Sequence, residues 1–347
     1  MLQVLGELRS VLEEKPQGPV LLQALVPCSG DGSLLAGLSG LLRTAHLENP
    51  NLVGQVIHVE EGDSPTSVAA KLQESATAPQ DGQVRYWRGV REVLEWDEVE
   101  VPSVAASPWR DGGVYLITGG AGGLGLLFAA EIVRCAKGAR VVLTGRSALS
   151  AEKQLALAAL GEGVEYRQVN VSDGAAVAAL VADMTARFGS IQGILHGAGV
   201  IEDTFMVKKT AVSAQRVLSP KVAGVVNVDA ATQDMALEFM IFFASASGAL
   251  GNVGQGDYAA ANGFLDGYAR YRNELASAGL RRGRTLSIDW PLWRDGGMRV
   301  DASVLHMQHS QGVTPLETRR GIQALNEALA ADADQVLVLS GDLKRLR

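Results

Sequence analysis

The stretch Gly113–Gly125, GVYLITGGAGGLG, constrains this chain more than any other. Val114, Tyr115, Leu116 and Ile117 form a short apolar run of β type, long enough for one buried strand, and Thr118-Gly119 ends it. Gly120-Ala121-Gly122-Gly123-Leu124-Gly125 then fits Gly-x-Gly-x-x-Gly, and Leu126 to Cys135 reads as a helix. A chain with 40 glycines can meet such a pattern by accident. Strand, glycine turn and helix in that order is what gives it meaning. Glycines let the backbone turn tightly against a pyrophosphate, and the helix N-terminus presents N–H groups to the anion. The stretch predicts a dinucleotide site.

Composition sets the outer limits. The 347 residues, 47% of them hydrophobic, suffice for about two filled domains. The opening MLQVLGELRS holds Glu7 and no apolar run, so no signal peptide is expected. No apolar run is long enough to span a bilayer. Cys28 and Cys135 fall in apolar stretches and read as reduced core residues of a cytoplasmic protein. A formal charge of −7 argues against nucleic acid as the main partner. With 5 histidines, 2 cysteines and no CxxC or HxxxH spacing, no metal is expected.

Before the fingerprint, residues 1–18 read as a short helix and a Pro/Gly break. Strands are expected at Val20–Val26 and Val53–Val59, and helices at Ser33–His46 and Pro65–Ser75. A strand or hairpin runs from Val84 to Trp87 and on through Val93 and Leu94. The first strand leads into PCSGDG, not a glycine fingerprint, so this half is read as structural and without a cofactor site. Val101–Asp111 is the linker. The division is 1–110, a truncated structural subdomain, and 111–347, the catalytic one.

After the fingerprint, strands at Ala139–Leu143, Val164–Val169, Ile191–Leu195, Phe239–Phe243, Leu286–Trp290 and Val336–Leu339 are expected. Helices at 151–160, 174–188, 219–232 and Tyr258–Ala278 alternate with them, and Ser245–Gly256 is a loop. The pattern predicts an α/β fold of two Rossmann-like subdomains with doubly wound parallel sheets. Ligands should lie at the carboxyl ends of the strands, where TGG, TGR, NVSD, HGAG, SAS and DWP fall. Residues 293–315 show no periodic element and read as a lid, His306 and His309 included.

Gly119, Gly120, Ala121, Gly122, Gly123, Leu124 and Gly125 form the expected phosphate loop. At the end of the second strand a carboxylate would pair with a ribose 2′-hydroxyl, whereas arginine accommodates a 2′-phosphate. Arg146 stands there with Ser147 beside it and no acid, which favours NADPH. Ser245 ends a strand, and Tyr258 and Asn262 share one helix face. Tyr258 can donate a proton to a carbonyl. A free tyrosine titrates near about 10, so it needs a nearby positive charge to act at neutral pH, and Lys221 can supply it. Ser245 can hydrogen-bond the same oxygen, and Asn262 can order a water or backbone group.

TGGAGGLG also fits Thr-Gly-x-x-x-Gly-x-Gly, as in the short-chain dehydrogenase/reductase superfamily. Most members carry Tyr-x-x-x-Lys, whereas this chain has Tyr258-Ala-Ala-Ala-Asn262. That exchange resembles the ketoreductase domains of modular polyketide synthases, as do the interval from Lys221 to Ser245, the run Gly254–Asp266 and HGAGV. Residues 40–50 are similar to a helix of that family's silent N-terminal subdomain, and Ile288–Met298 resembles ketoreductases of trans-acyltransferase assembly lines. The resemblance covers essentially the whole chain. It implies reduction of a β-ketoacyl thioester held on the phosphopantetheine arm of an acyl carrier domain, among neighbouring synthase domains. Tyr258, Ser245, Lys221 and Asn262 would form the tetrad, with Lys221 lowering the tyrosine pKa. Asn170, Val171, His196, Gly197, Ala198, Gly199, Pro291 and Leu292 would join the cofactor contacts, and Trp293 to His309 would close over the acyl chain. Asp203, Leu250, Gln255, Trp293 and Met298 would face the substrate side.

Two departures stand out. Asn170 replaces the aspartate such domains place at the adenine amine, and Ala244 replaces a frequent serine. Stereochemistry follows from two markers of the resemblance. Asp203 keeps the last position of Leu-Asp-Asp, and Leu250 stands where domains of opposite outcome carry tryptophan, so a D-alcohol is implied. Arg281, Arg282 and Arg284, or Lys208-Lys209, are candidate docking charges for an acidic carrier. A free-standing reductase of a small ketone, or a non-catalytic scaffold, are the rival readings.

Overall fold

A computed structural model of the chain describes residues 1–99, 101, 107–298 and 300–346. Of the expected linker, residues 102–106 lie outside the described residues. The strands are β1 (Val20–Pro27), β2 (Leu52–Val59), β3 (Gln83–Trp87), β4 (Val90–Val93), β5 (Val114–Thr118), β6 (Arg140–Gly145), β7 (Val164–Gln168), β8 (Gly193–His196), β9 (Phe239–Ser245), β10 (Arg284–Trp290) and β11 (Gln335–Leu337). They form a four-stranded sheet in the order β1-β2-β3-β4 and a seven-stranded sheet in the order β11-β10-β9-β8-β5-β6-β7.

The seven-stranded sheet is the α/β fold that the alternation predicts. Every residue of β5 is buried, as a strand covered on both faces requires, whereas edge strand β7 is mostly half-exposed. β5 pairs in parallel with both β6 and β8, so the strand order reverses between β5 and β8. In an open parallel sheet that reversal opens a crevice at the carboxyl ends, and the glycine loop leaves from there. The smaller sheet is mixed rather than all parallel. β1, β2 and β3 run in parallel, and β4 returns antiparallel to β3. Arg88 and Gly89 make that turn at φ 51° and 76°, as a two-residue hairpin of this kind demands.

Packing does not follow the division at residue 110. One compact unit comprises Met1–Glu98, Val200–Val222 and Ser245–Arg272; the other comprises Val99–Gly199, Ala223–Ala244 and Asn273–Arg347. In the first, Leu38, Leu41 and Leu42 of the helix Gly37–Glu48 share a core with Met206, Ala214 and Ala260. A Cβ on Gly40 would lie 2.7 Å from the Gly248 carbonyl oxygen, so that helix packs backbone to backbone. In the second, Tyr115, Ile117, Phe128, Leu143, Phe243 and Trp290 belong to one core. Fully burying one such side chain contributes about 1.5–3 kcal/mol.

Several elements differ from the sequence reading. The helix expected from 219 starts at Ala211 and runs through Pro220 to Ala231. Proline reads as a break, but Ala214, Val217, Val225 and Val228 are all buried on either side of it, and their packing outweighs the lost hydrogen bond. The short helix Ala246–Leu250 lies inside the expected 245–256 loop, and Ala302–Ser310 inside the expected lid. The helix Thr318–Ala330, which buries Gly321, Leu325 and Ala328, has no counterpart in the sequence reading. Cys28 and Cys135 are free thiols. Among the described residues no helix is long and apolar enough to cross a membrane.

Candidate active site

The glycine loop starts where β5 and β8 end side by side. Thr118 Oγ1 and His196 Nδ1 share a hydrogen bond of 2.9 Å between the two strand ends. Gly119 has φ +67°, and a Cβ there would lie 2.6 Å from the Gly197 oxygen and 2.8 Å from Ala198 Cα. A Cβ on Gly125 would strike the Gly120 backbone. Both positions therefore need glycine. Gly122 caps the helix Gly123–Cys135 without a side-chain hydrogen bond. No side chain caps that first turn, which fits a phosphate acceptor. At the end of β6, Arg146 and Ser147 are exposed, and no ion pair to Arg146 occurs among the described residues. Gln168 Nε2 holds the Arg146 carbonyl at 3.0 Å, and the Tyr166 hydroxyl donates to the Ser147 carbonyl at 2.6 Å. The loop backbone is therefore fixed while the guanidinium reaches outward. Asn170 is exposed, and its Oδ1 accepts from the Ser172 N–H at 3.2 Å.

The other unit gathers Ser245, Tyr258, Asn262 and Lys221. Ser245 closes β9 and caps the helix Ala246–Leu250, its Oγ accepting from the Ser247 N–H at 3.3 Å. Tyr258 and Asn262 lie one turn apart on the helix Gly256–Ser277, and Asn262 Nδ2 donates to the Tyr258 carbonyl at 2.7 Å. Among the described residues the buried Asn262 Oδ1 has no hydrogen-bond partner. Lys221 is buried, its Nζ 6.0 Å from the Tyr258 ring centroid. Burial pushes the Tyr258 phenol up, hydrogen bonds to Ser245 and Asn262 pull it down, and the Asp203 carboxylate pushes it up again. The net direction is upward, opposite to the lowering expected from Lys221. The phenol carries its proton at neutral pH, as an ordinary tyrosine does, and the upward shift makes it a weaker acid in the free domain.

A chain of hydrogen bonds runs away from Ser245. Its hydroxyl donates to Ser247 Oγ at 3.3 Å, and Ser247 Oγ donates to Gln255 Oε1 at 3.0 Å. Gln255 Nε2 then donates to Asp203 Oδ2 at 3.0 Å. Neighbouring Glu202 is engaged elsewhere: Arg216 and Ser213 hold its carboxyl at about 2. Asp203 is thus the loop carboxylate that reaches toward the serine.

Residues 113–295 match the KR domain family, more than half of the chain. The chain belongs to the ketoreductase domain family. Domains of this family are oxidoreductases of polyketide synthases with nicotinamide cofactors. The domain is 44% identical over 350 residues to polyketide synthase PksN of Bacillus subtilis (strain 168), a match covering 99% of this chain and 6% of that protein. It is 40% identical over 347 residues to polyketide synthase ThaG of Burkholderia thailandensis, covering 98% of this chain and 6% of that protein. It thus spans a small fraction of the length of these relatives. A ketoreductase domain from the bacillaene assembly line superposes with a TM-score of 0.95 at 43% identity, covering 99% of this chain and 83% of that one.

Not every expected residue of the ketoreductase domain stands at a surface. His196 has no exposed surface: it bonds Thr118 and meets the Phe242 ring edge-on at 6.3 Å. In this position its ring fixes the strand end. Val171 is nearly buried, packed at Gly224. Trp293, expected over the acyl chain, is a core residue 3% exposed, with Trp290 at 5.0 Å and Phe128 at 5.8 Å. The indole occupies the space a side chain at Gly321 would need, so the helix missed in the sequence is what buries it. Pro291 and Leu292 are half-exposed, and Leu250 and Met298 are exposed. The expected basic docking clusters are largely spent on the fold. Lys209 is buried against Asp257 at 2.9 Å. Arg281 pairs with Asp229 at 3.1 Å, and Arg284 donates to the carbonyls of Leu329, Ala331 and Ala333. Ser247, the middle of the polar chain, was missed. Its signal was a serine two residues beyond a strand-ending serine, too common to single out.

Proposed function

We propose that the domain reduces a β-ketoacyl thioester, carried on the phosphopantetheine arm of an acyl carrier domain, to the D-β-hydroxyacyl thioester with NADPH during polyketide assembly. The observation that carries this reading is the grouping of Tyr258 with Ser245, Asn262 and Lys221, the phenol hydrogen-bonded to Ser245 and Asn262, in a chain of the ketoreductase family. Gly119 to Gly125 and the uncapped helix start suit the pyrophosphate, and Arg146 with Ser147 suits the 2′-phosphate. When bound, the cofactor supplies hydride to the ketone carbon. Tyr258 gives its proton to the carbonyl oxygen, and Ser245 donates a hydrogen bond that stabilises the developing negative charge. Lys221 lies over the tyrosine ring and favours the phenolate left after transfer. The Asn262 oxygen, which has no partner among the described residues, suits a water through which the proton is resupplied. Asp203 and the absence of tryptophan at Leu250 support the D-alcohol. The segment Ile288–Met298 supports a place in a trans-acyltransferase line. In this reading 1–110 serves as the structural subdomain and 111–347 as the catalytic one, in a cytoplasmic multidomain synthase.

The test is NADPH oxidation with a carrier-bound β-ketoacyl thioester, followed by chiral chromatography of the released alcohol. Mainly D-alcohol is expected. Turnover of free small ketones as efficient as that of the carrier-bound thioester would favour the free-standing reductase. No oxidation with any β-keto thioester would favour a scaffold.

A further inference from the structure

The helix Gly37–Glu48 carries none of the reacting groups, yet its side chains hold the connection between Ser245 and Tyr258 at several points. The Arg43 guanidinium donates to the Ala249 carbonyl. Thr44 Oγ1 accepts from the Asn252 N–H at 3.1 Å. Glu48 makes a bridge. Its Oε1 accepts from the Gly254 N–H at 2.9 Å, and its Oε2 accepts from the Met206 N–H at 2.7 Å. These two N–H groups belong to different loops. Gly254 adjoins Gln255, and Met206 lies three residues after Asp203. The Thr204 N–H also donates to the Gly254 carbonyl at 2.9 Å, so the loops are joined at the point where Glu48 ties them. Just beyond the tie, Gln255 and Asp203 meet at 3.0 Å, and Gln255 leads through Ser247 to Ser245.

We propose that Glu48 is a positioning residue for reduction: its carboxylate locks the Asp203 and Gln255 loops in register and so fixes which face of the ketone is offered. The proposal rests on the reductase reading above. A carboxylate suits this task because it accepts at both oxygens, whereas glutamine accepts at one and presents an NH2 group to the second N–H. Burial pushes the Glu48 carboxyl up and the two N–H groups pull it down, with Lys209 pulling down and Asp257 pushing up. Losing one side of the bridge frees one loop from the other. Ser245, Tyr258 and the glycine loop are not touched by the substitution.

The experiment uses the whole domain, NADPH and a synthetic β-ketoacyl thioester, comparing wild type with Glu48→Gln and Glu48→Ala. The ratio of D- to L-alcohol should fall about tenfold in Glu48→Gln, the equivalent of one hydrogen bond to a charged group. KM for the thioester should rise while kcat and NADPH affinity stay near wild type. Glu48→Ala should have the larger effect. If the alanine variant does not fold, the glutamine variant, whose melting transition is checked first, carries the test. A third arm pairs Glu48→Gln with Gln255→Ala: effects on the product ratio should be non-additive, because both act on one loop. A folded Glu48→Gln with wild-type product ratio and KM overturns the proposal. Additive effects in the double variant overturn it as well. Failure of the wild type to reduce any β-ketoacyl thioester overturns the reductase reading and this proposal with it.

Discussion

Replacing Lys209 by methionine tests how the start of the Tyr258 helix is held. Lys209 Nζ lies 2.9 Å from Asp257 Oδ2, with the two side chains 1% and 2% exposed. The ammonium also donates to the Glu202 carbonyl, and Asp257 Oδ1 accepts from the Tyr258 N–H at 2.9 Å. Methionine keeps much of the lysine volume, so the main loss is the charge beside Asp257. Removing one partner of a buried pair costs about 3–5 kcal/mol. At about 2.1 cal/mol/K per residue, a chain of 347 residues shifts by about 1.4 °C per kcal/mol, so the melting midpoint should fall by roughly 4–7 °C. Dependence on pH sharpens the test. Burial already pushes the Asp257 carboxyl up, while Lys209 and the Tyr258 N–H pull it down. Without lysine it rises further. A carboxyl raised on folding stabilises below its unfolded value, and that contribution is lost as pH rises through the folded value. The variant's deficit should therefore be small in acid and grow from about pH 4 toward neutrality. Circular dichroism melts and urea titrations across that range measure it. Adding Asp257→Asn should recover most of the loss, since no lone charge remains. A deficit below about 1 kcal/mol at neutral pH, the size of a surface pair, or one that ignores pH, would refute the reasoning.

Tyr258→Phe should lower kcat at least about 10²-fold with little change in cofactor affinity; near-normal turnover on a carrier-bound ketone would remove the tyrosine from its role. Because the phenol carries its proton at neutral pH and burial shifts it upward, the wild-type reduction rate should stay level through neutral pH and fall only beyond about 10. Arg146→Ala should erase most of the preference for NADPH over NADH, read as kcat/KM for each; an unchanged preference would clear Arg146 of reading the 2′-phosphate. Asn170→Asp should tighten NADPH a few-fold, because a charged acceptor bonds an amine more strongly than an amide does. Equal or weaker binding by fluorescence titration would mean that Asn170 does not face the adenine.

The elements legible in the sequence were those whose signal is local. β5 reads as one apolar run because both its faces are covered, and the turn after it needs glycine wherever a Cβ would collide. Tyr258 and Asn262 fall on one face because helical spacing fixes that from four residues alone. What was not legible depends on partners far away in the chain. Pro220 looks like an interruption until the buried residues on both sides are counted. Trp293 looks like a loop aromatic until the helix carrying Gly321 is placed against it. Lys208-Lys209 and Arg281-Arg282-Arg284 look like surface charge, but Asp257, Asp229 and three carbonyls claim three of the five. Charge written next to charge in a sequence carries no record of the carboxylate it will meet. Glu48 was invisible for the same reason, since its two N–H partners lie more than a hundred residues downstream.

The shared core of Leu38, Leu41 and Leu42 with Met206, Ala214 and Ala260 also sets a clock on synthesis. Residues 1–98 leave the ribosome with Leu5, Leu8, Leu52 and Val56 already available to that core, but the part closed by Met206, Ala214 and Ala260 stays open until residue 260 is made. At about 5–20 residues per second, translating the intervening roughly 160 residues takes on the order of 10–30 s. During that interval the nascent chain exposes the part of the helix face that Met206, Ala214 and Ala260 later cover, which makes this stage the natural point for chaperone capture or for aggregation. Slowing translation between residues 98 and 260 should therefore lower the soluble yield more than slowing it after residue 272.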